Sequence, residues 1–362
     1  MNKKIYIERL GDLVAIPSTT DHVRANTQAL TIIKKWSDKR CNQQVFTNGH
    51  AKILLIGNGN ILKPKIGYLV HVDVVPGHTN QFKMIQRGRN LIGRGVNDMK
   101  FSIPIGIELI NQAIKKGLDK DITMAVTTDE ESGGNEGGKY LAQTLNFRPE
   151  ILIVPDGGDN FRFVNKSKGV IHLLIESKGQ PAHASQPWLG KNALSPLCQL
   201  ANILLEKYDK NSQQKNWETT MNLGHLYGGK SANQVCSEAI LKLDFRFPET
   251  RSVDEMFDEV KNMASSIDPS LQVSVAAAGD PTSTDISLQP VQKLMKAARI
   301  VLGKNLVVKG DYGASDARYW AKYNIPILMT KPKGGGSHSD HEWINLDSCL
   351  KFYEIMWKYL TI

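Results

Sequence analysis

Five short segments concentrate the side chains able to do chemistry: HVDVV at 71–75, GRGVNDMK at 93–100, TTDEESGG at 127–134, IVPDGGD at 153–159 and KGGGSHSDHEW at 333–343. Between them they offer His71, Asp73, Asp98, Asp129, Glu130, Glu131, Asp156 and His338, with His341 and Glu342 close behind. Imidazole nitrogens and carboxylate oxygens are the donors that zinc and other first-row divalent ions accept. If 65–75 is a strand, His71 and Asp73 face one side, because side chains alternate with period two. Asp73 is then placed to accept the second N–H of a metal-bound His71. Each segment alone also has an ordinary reading. His71 can be a histidine beside a loop-end aspartate, Asp98 a helix N-cap, and 129–131 a solvated acidic loop. Three adjacent carboxylates at the end of an apolar strand, however, need a cation or a proton to relieve them. The chain has no HExxH, no CxxC pair, no GxSxG elbow and no phosphate-binding glycine pattern, which argues against a single-zinc thermolysin-like site, a zinc finger, a serine hydrolase and a nucleotide loop.

The elements that must position these residues are legible as alternating apolar runs. Strands are expected at 52–57, 65–75, 121–128 and 151–156, with helices at about 100–117 and 137–145 between them. Pro104 is tolerable because it falls in the first helical turn. Strands alternating with helices predict an α/β layer with a largely parallel buried sheet, and each chemical segment sits where a strand ends. From about 169 the order becomes strand 169–177, helix 191–207, strands 219–227 and 237–245, helix 252–266 and strand 271–278. That β-α-β-β-α-β order is the ferredoxin-like split pattern. Helix 288–302, a strand near 305–309, helix 315–322, strand 325–330 and a final helix then resume the first rhythm. The expected architecture is a discontinuous α/β catalytic domain, 1–167 and 283–362, carrying an inserted ferredoxin-like lid or dimerisation domain at 168–282.

A composition of 41% hydrophobic and 22% charged residues supplies ample core material. No apolar run is long enough to span a bilayer, and the first residues lack a signal-peptide pattern. Cys41, Cys198, Cys236 and Cys349 lie far apart and read as reduced thiols, so a cytoplasmic protein without a membrane role is expected. The net charge of +9 is spread along the chain without a basic block, so no nucleic-acid partner is expected; a positive field also suits carboxylate-bearing small molecules. His172 lies in an apolar strand and reads as a packing residue.

These segments, in this order and spacing, resemble the two-metal exopeptidases and deacylases that include acetylornithine deacetylase, succinyl-diaminopimelate desuccinylase, aminoacylase and carboxypeptidase G, peptidase family M20. The resemblance runs from about residue 8 to the C-terminus. It implies that Asp98 bridges two divalent ions, zinc foremost, with cobalt or manganese as alternatives. It implies His71 and Asp156 on one ion, Glu131 and His338 on the other, Glu130 as general base and Asp73 as the carboxylate orienting His71. In GQPAHASQPWLGKNAL at 179–194, His183 looks like the histidine that reaches a neighbouring subunit's site, which implies a homodimer. Asn233, Arg246 of DFRFPE, and Ser315 and Arg318 of GASDAR resemble positions that hold a substrate carboxylate.

The sequence departs from the family pattern in three places. Phe101 follows Lys100 where glycine is frequent, and Ala314 stands where desuccinylases often have threonine. Asp156 stands where many deacylases and carboxypeptidases carry glutamate; aspartate there accompanies aminopeptidases and dipeptidases. The resemblance implies cleavage of an amide bond in a dipeptide or N-acyl amino acid by a hydroxide held between the metals. Its rivals are a metal-free binding protein of the same fold and a nucleic-acid binder suggested by charge alone.

Overall fold

The computed structural model describes residues 1–118 and 121–362, which fall into two compact units. The first comprises Met1–Lys166, Ser283–Asp311 and Ser315–Ile362, and the second Ser167–Thr282 with Tyr312–Ala314.

A six-stranded sheet organises the first unit, in the order Asn42–Asn48, Ala51–Gly57, Ile122–Thr127, Ile66–His71, Ile151–Ile153 and Ile327–Leu328. The last four strands run parallel, and Asn42–Asn48 and Ala51–Gly57 form an antiparallel hairpin whose second strand pairs antiparallel with Ile122–Thr127. The central strands are apolar throughout because both faces are covered. Leu54, Ile56, Val70 and Met124 pack with helices Lys3–Val14, Ser102–Lys116 and Leu346–Thr361, while Ile53, Leu55, Leu69 and Ala125 pack with Trp320 and Phe147 on the other face. The strand expected at 65–75 ends at His71, and the one expected at 151–156 ends at Ile153. In both cases the chain leaves the ladder just where the polar residues begin.

A second, antiparallel sheet of four short strands stands in the order Gly334–Gly335, Trp343–Asn345, Asn90–Ile92 and Ile85–Arg87. Pairing of Trp343 with Ile92 draws the segment after Ile92 beside the segment before Trp343. Sequence reading had no strands here, nor helices at Lys3–Val14 and Val23–Trp36. The segment 315–322, expected as an ordinary helix, is a 3-10 helix over Asp316–Tyr323.

The second unit has strands Gly169–Lys178, Thr220–Gly228, Glu238–Phe247 and Gln272–Gly279 in one antiparallel sheet, with helices Leu194–Ser212 and Val253–Ile267. Ile171, Leu173, Ile175, Leu241, Leu243 and Phe245 form its core with those helices. Alternation sends His172, Asp244 and Arg246 to the opposite face. His172 is accordingly half-exposed, its Nε2 3.2 Å from Asp244 Oδ2, and is no packing residue. The ends of this unit meet, with the Ser167 and Thr282 hydroxyls hydrogen-bonded at 2.5 Å. In the first unit the flanking segments are also adjacent, the Thr284 N–H donating to the Asn165 carbonyl at 2.7 Å.

Candidate metal centre

His71, Thr127 and Ile153 terminate neighbouring parallel strands, so the loops that follow them converge at the carboxyl edge of the sheet. His71 is 2% exposed. Its Nδ1 donates to the Asp73 carbonyl at 3.0 Å and lies 3.5 Å from Asp73 Oδ1. The tighter orienting bond is thus to the backbone oxygen, because Asp73 lies beyond the strand and turns its carboxylate elsewhere. That carboxylate accepts from Thr20 Oγ1 at 2.9 Å and from the Glu131 and Glu130 N–H groups at 3.0 and 3.3 Å.

On its other side, His71 Nε2 is buried without a hydrogen-bond partner among the described residues, with Asp98 Oδ1 3.4 Å, Glu130 Oε2 3.9 Å and Asp156 Oδ1 4.0 Å away. The second oxygen of Asp98 lies 3.4 Å from His338 Nε2, which is 3.0 Å from Glu131 Oε2. Asp98 therefore stands between the two histidines with one oxygen toward each. It does not cap the following helix, which starts four residues later at Ser102.

Two groups of donor atoms fall within 4.8 Å of one another: His71, Glu130 and Asp156, and His71, Asp98 and Glu131. Glu130 thus lies as near to Asp156 as a ligand would. His338 reaches the centre from a left-handed backbone position, φ 63°, in the glycine-rich loop between Gly335 and Trp343. Gly336, at φ 72°, makes that loop possible: a Cβ there would stand 2.4 Å from the His341 carbonyl.

The electrostatics are those of too many carboxylates in too little water. Burial, with Asp98 and Glu131 nearby, pushes Asp156 up to about 8. Burial likewise raises Glu130, reinforced by Asp156, Asp316 and Glu131. Burial opposes the charge on Asp98 too, but the His338 and His71 imidazoles beside it outweigh burial and hold its pKa well below the usual range. Hydrogen bonds to Asp98 and Glu131 push His338 up to about 10. Cations would satisfy this set directly. The orphaned His71 Nε2 and the surrounding carboxylate oxygens are the mixed nitrogen and oxygen donors that a first-row divalent ion takes.

Several supporting residues were given no role by the sequence. Glu342, 1% exposed, accepts four hydrogen bonds from residues 94–98. Lys331 is buried, 3.4 Å from Asp159, and is kept protonated by Asp98, Asp159 and Asp156 against the pull of burial. Asp316 is buried beneath Gly134 and Gly138, and the Thr127 hydroxyl donates to it at 3.4 Å. A carboxylate following a histidine, or a lysine before a proline, is too common in sequences to be singled out.

The expected substrate residues fall in both units. Ser315 accepts from the Ala317 N–H at 3.4 Å as a helix cap, and Arg318 is buried with its Nη2 donating to the Gly133 carbonyl at 2.6 Å. His183, Asn233 and Arg246 belong to the second unit. His183 and Asn233 are exposed, with Asn233 Oδ1 accepting from Ser231 Oγ at 2.5 Å. Arg246 is engaged by Asp244 through Nε at 2.8 Å and Nη2 at 3.0 Å. Among the described residues no helix is long and apolar enough to cross a membrane.

Comparison with known proteins places these features in a lineage. A tripeptidase from Staphylococcus aureus shares the fold with a TM-score of 0.78 at 21% identity, over 99% of this chain and 98% of that one. An M20 family metallo-carboxypeptidase from Sulfolobus solfataricus does so with a TM-score of 0.80 at 15% identity, over 99% of each. An acetylornithine deacetylase from Edwardsiella ictaluri is 28% identical over 253 residues, a match spanning 65% of this chain and 65% of that protein. The sequence model of Peptidase family M20/M25/M40 matches residues 67–361. The chain belongs to that family of hydrolases.

Proposed function

We propose that this chain is a two-metal amide hydrolase acting on a small peptide or an N-acyl amino acid. The observation that carries the reading is Asp98, whose two oxygens each lie 3.4 Å from a different histidine. Asp98 would join the two ions, with His71 and Asp156 completing one site and Glu131 and His338 the other. Zinc suits these donors, and cobalt and manganese accept the same set. When bound, the metals supply Lewis acidity that activates water and polarises the scissile carbonyl.

Glu130 is the general base. Its carboxylate takes a proton from the attacking water and returns it to the leaving amine. Asp73 fixes it by accepting its N–H, and Glu131, next in sequence, is fixed by the same carboxylate. His183 is a donor to the developing oxyanion in a homodimer. Its Nδ1 accepts the Ser185 N–H at 3.1 Å, so a neutral ring carries its proton on Nε2. Arg246, held on Nε and Nη2 by Asp244, retains Nη1 for a substrate carboxylate. The four free cysteines suit a reducing, cytoplasmic setting.

Asp156 favours a di- or aminopeptidase, while the likeness to an acetylornithine deacetylase supports a deacylase as the second reading. The deciding experiment measures metal content and hydrolysis together, on di- and tripeptides beside N-acetyl and N-succinyl amino acids. About two equivalents of metal with turnover abolished by chelation would support the hydrolase, and the preferred substrates would choose between the readings. No stoichiometric metal and no turnover under zinc, cobalt or manganese would leave a binding protein.

A further inference from the structure

Glu342 is a carboxylate in a place almost closed to water, and its partners explain why it is there. Oε1 accepts the N–H groups of Asn97 at 2.8 Å and Asp98 at 3.0 Å. Oε2 accepts the N–H of Gly95 at 2.9 Å and Arg94 Nη1 at 3.0 Å. The Glu342 carbonyl also receives the Gly93 N–H at 3.2 Å. Three backbone donors and a guanidinium compensate the buried charge. Reciprocally, Asn97 Nδ2 donates to Ser337 Oγ at 2.8 Å, the residue before His338. Gly334 must be glycine for Asn97 to lie there, since a Cβ would fall 2.0 Å from Asn97 Oδ1.

Two loops are thus latched to each other twice. One carries Asp98, and the other carries His338 and Glu342 four residues apart. Asp98 lies in the turns between strand Asn90–Ile92 and helix Ser102–Lys116, and His338 stands in a glycine-rich loop with half its side chain exposed.

We infer that Glu342 is a positioning residue for the metal centre, setting the Asp98 carboxylate and the His338 imidazole at their mutual distance. It is placed to act through the amides of Gly95, Asn97 and Asp98 rather than on metal or substrate directly. The inference rests on the hydrolase reading for the ligand roles of Asp98 and His338, while the latch itself is a property of the metal-free chain.

The test uses the full chain with Glu342→Gln, which sets an NH2 group against backbone N–H donors. Metal-free protein is titrated with cobalt, following visible absorption and heat, with His338→Ala identifying the step that fills the Glu131–His338 side. Glu342→Gln should weaken that step roughly 10- to 100-fold, the usual effect of losing a group that orients ligands. The cobalt spectrum should change, and the step on the His71–Asp156 side should suffer less. In metal-free protein, hydrogen exchange at the 95–98 amides should accelerate.

A folded variant with wild-type affinities, spectrum and exchange, and only a lower Tm, overturns the inference. Should Glu342→Gln fail to fold, Glu342→Asp keeps the charge but cannot span both pairs of donors, and the same criteria apply. If the wild-type chain itself takes up no cobalt, the hydrolase reading fails instead, and the exchange measurement still decides the latch.

Discussion

The Glu131 N–H donates to Asp73 Oδ2 at 3.0 Å, while the carbonyl of that same aspartate takes the His71 Nδ1 proton at 3.0 Å. One residue therefore sets the orientation of a histidine on one strand end and of the acidic turn on the next. Asp73→Asn should preserve folding, because the amide is nearly isosteric, but its NH2 would face the N–H donors of residues 130 and 131. Hydrolysis should fall roughly 10- to 100-fold, with metal affinity falling in parallel. Steady-state kinetics beside a metal titration checks this, and wild-type values for both would remove Asp73 from the positioning role.

Glu130→Gln should lower kcat by roughly 10²- to 10⁴-fold, the range of general acid–base assistance, while metal content stays near wild type. Glu130 also lies within 3.9 Å of His71 Nε2. Loss of metal together with activity would therefore reassign it from base to ligand. Elemental analysis of the variant separates the two.

Removing metal should destabilise the first unit as well as silence it. Ligands that bind the folded chain alone stabilise by RT ln(1 + [L]/Kd), about 2.7 kcal/mol at 100 times Kd. Thermal unfolding in chelator, then in excess zinc, cobalt or manganese, should give a Tm that climbs with metal concentration. A Tm indifferent to all three would oppose a metal centre.

Protonation should compete with metal. Asp156 has its metal-free pKa pushed up to about 8 from an ordinary 3.8, so between those values the folded chain binds a proton that the unfolded chain does not. The stability of the metal-free protein should then fall as pH rises from about 4 to 8. Metal binding at pH 7 should release this proton, and affinity should rise with pH up to about 8. Calorimetry in buffers of different ionisation enthalpy counts the protons; none released would contradict the shift.

Gly336→Ala tests the loop that delivers His338. A Cβ at φ 72° and 2.4 Å from the His341 carbonyl cannot be relieved by a side-chain move, since its neighbour is backbone. The strain should cost roughly 1–3 kcal/mol. Activity should fall with stability, and a variant with unchanged Tm and kinetics would show the loop to be more pliable than its geometry implies.

The sheet and the inserted split pattern were legible because their signals are local. Residues 53–56, 68–70 and 124–126 are compact apolar runs, and from 169 to 279 strand and helix patterns follow one another in the split order. The chemical segments at 71–75, 127–134 and 153–159 were legible because each ends or follows such a run, and those at 93–100 and 333–343 by their glycines and donor residues alone. The helices at Lys3–Val14 and Val23–Trp36 were harder to find. Basic and polar residues interrupt their apolar faces, and burial of Tyr6, Leu10 and Leu13 depends on distant partners such as Phe101 and Phe352. The short strands near 85–92 and 334–345 were invisible for a related reason. They are two or three residues long, and the pairing that joins them, Trp343–Asn345 with Asn90–Ile92, spans more than two hundred positions. With them went the reason for Glu342, since its four partners lie on the far side of that pairing. His172 was misread because an apolar run hid the alternation that sends it outward against Asp244.

The seam where the inserted unit leaves the first one has an engineering meaning. Ser167 meets Thr282 on one side of it, and Asn165 meets Thr284 on the other. Such adjacent ends are what insertion and permutation of domains exploit. The segment 167–282 therefore enters and leaves through adjacent points, as a segment exchangeable as a block requires. A swap would carry His183, Asn233 and Arg246 as a block and leave His71, Asp98, Glu131, Asp156 and His338 where they stand.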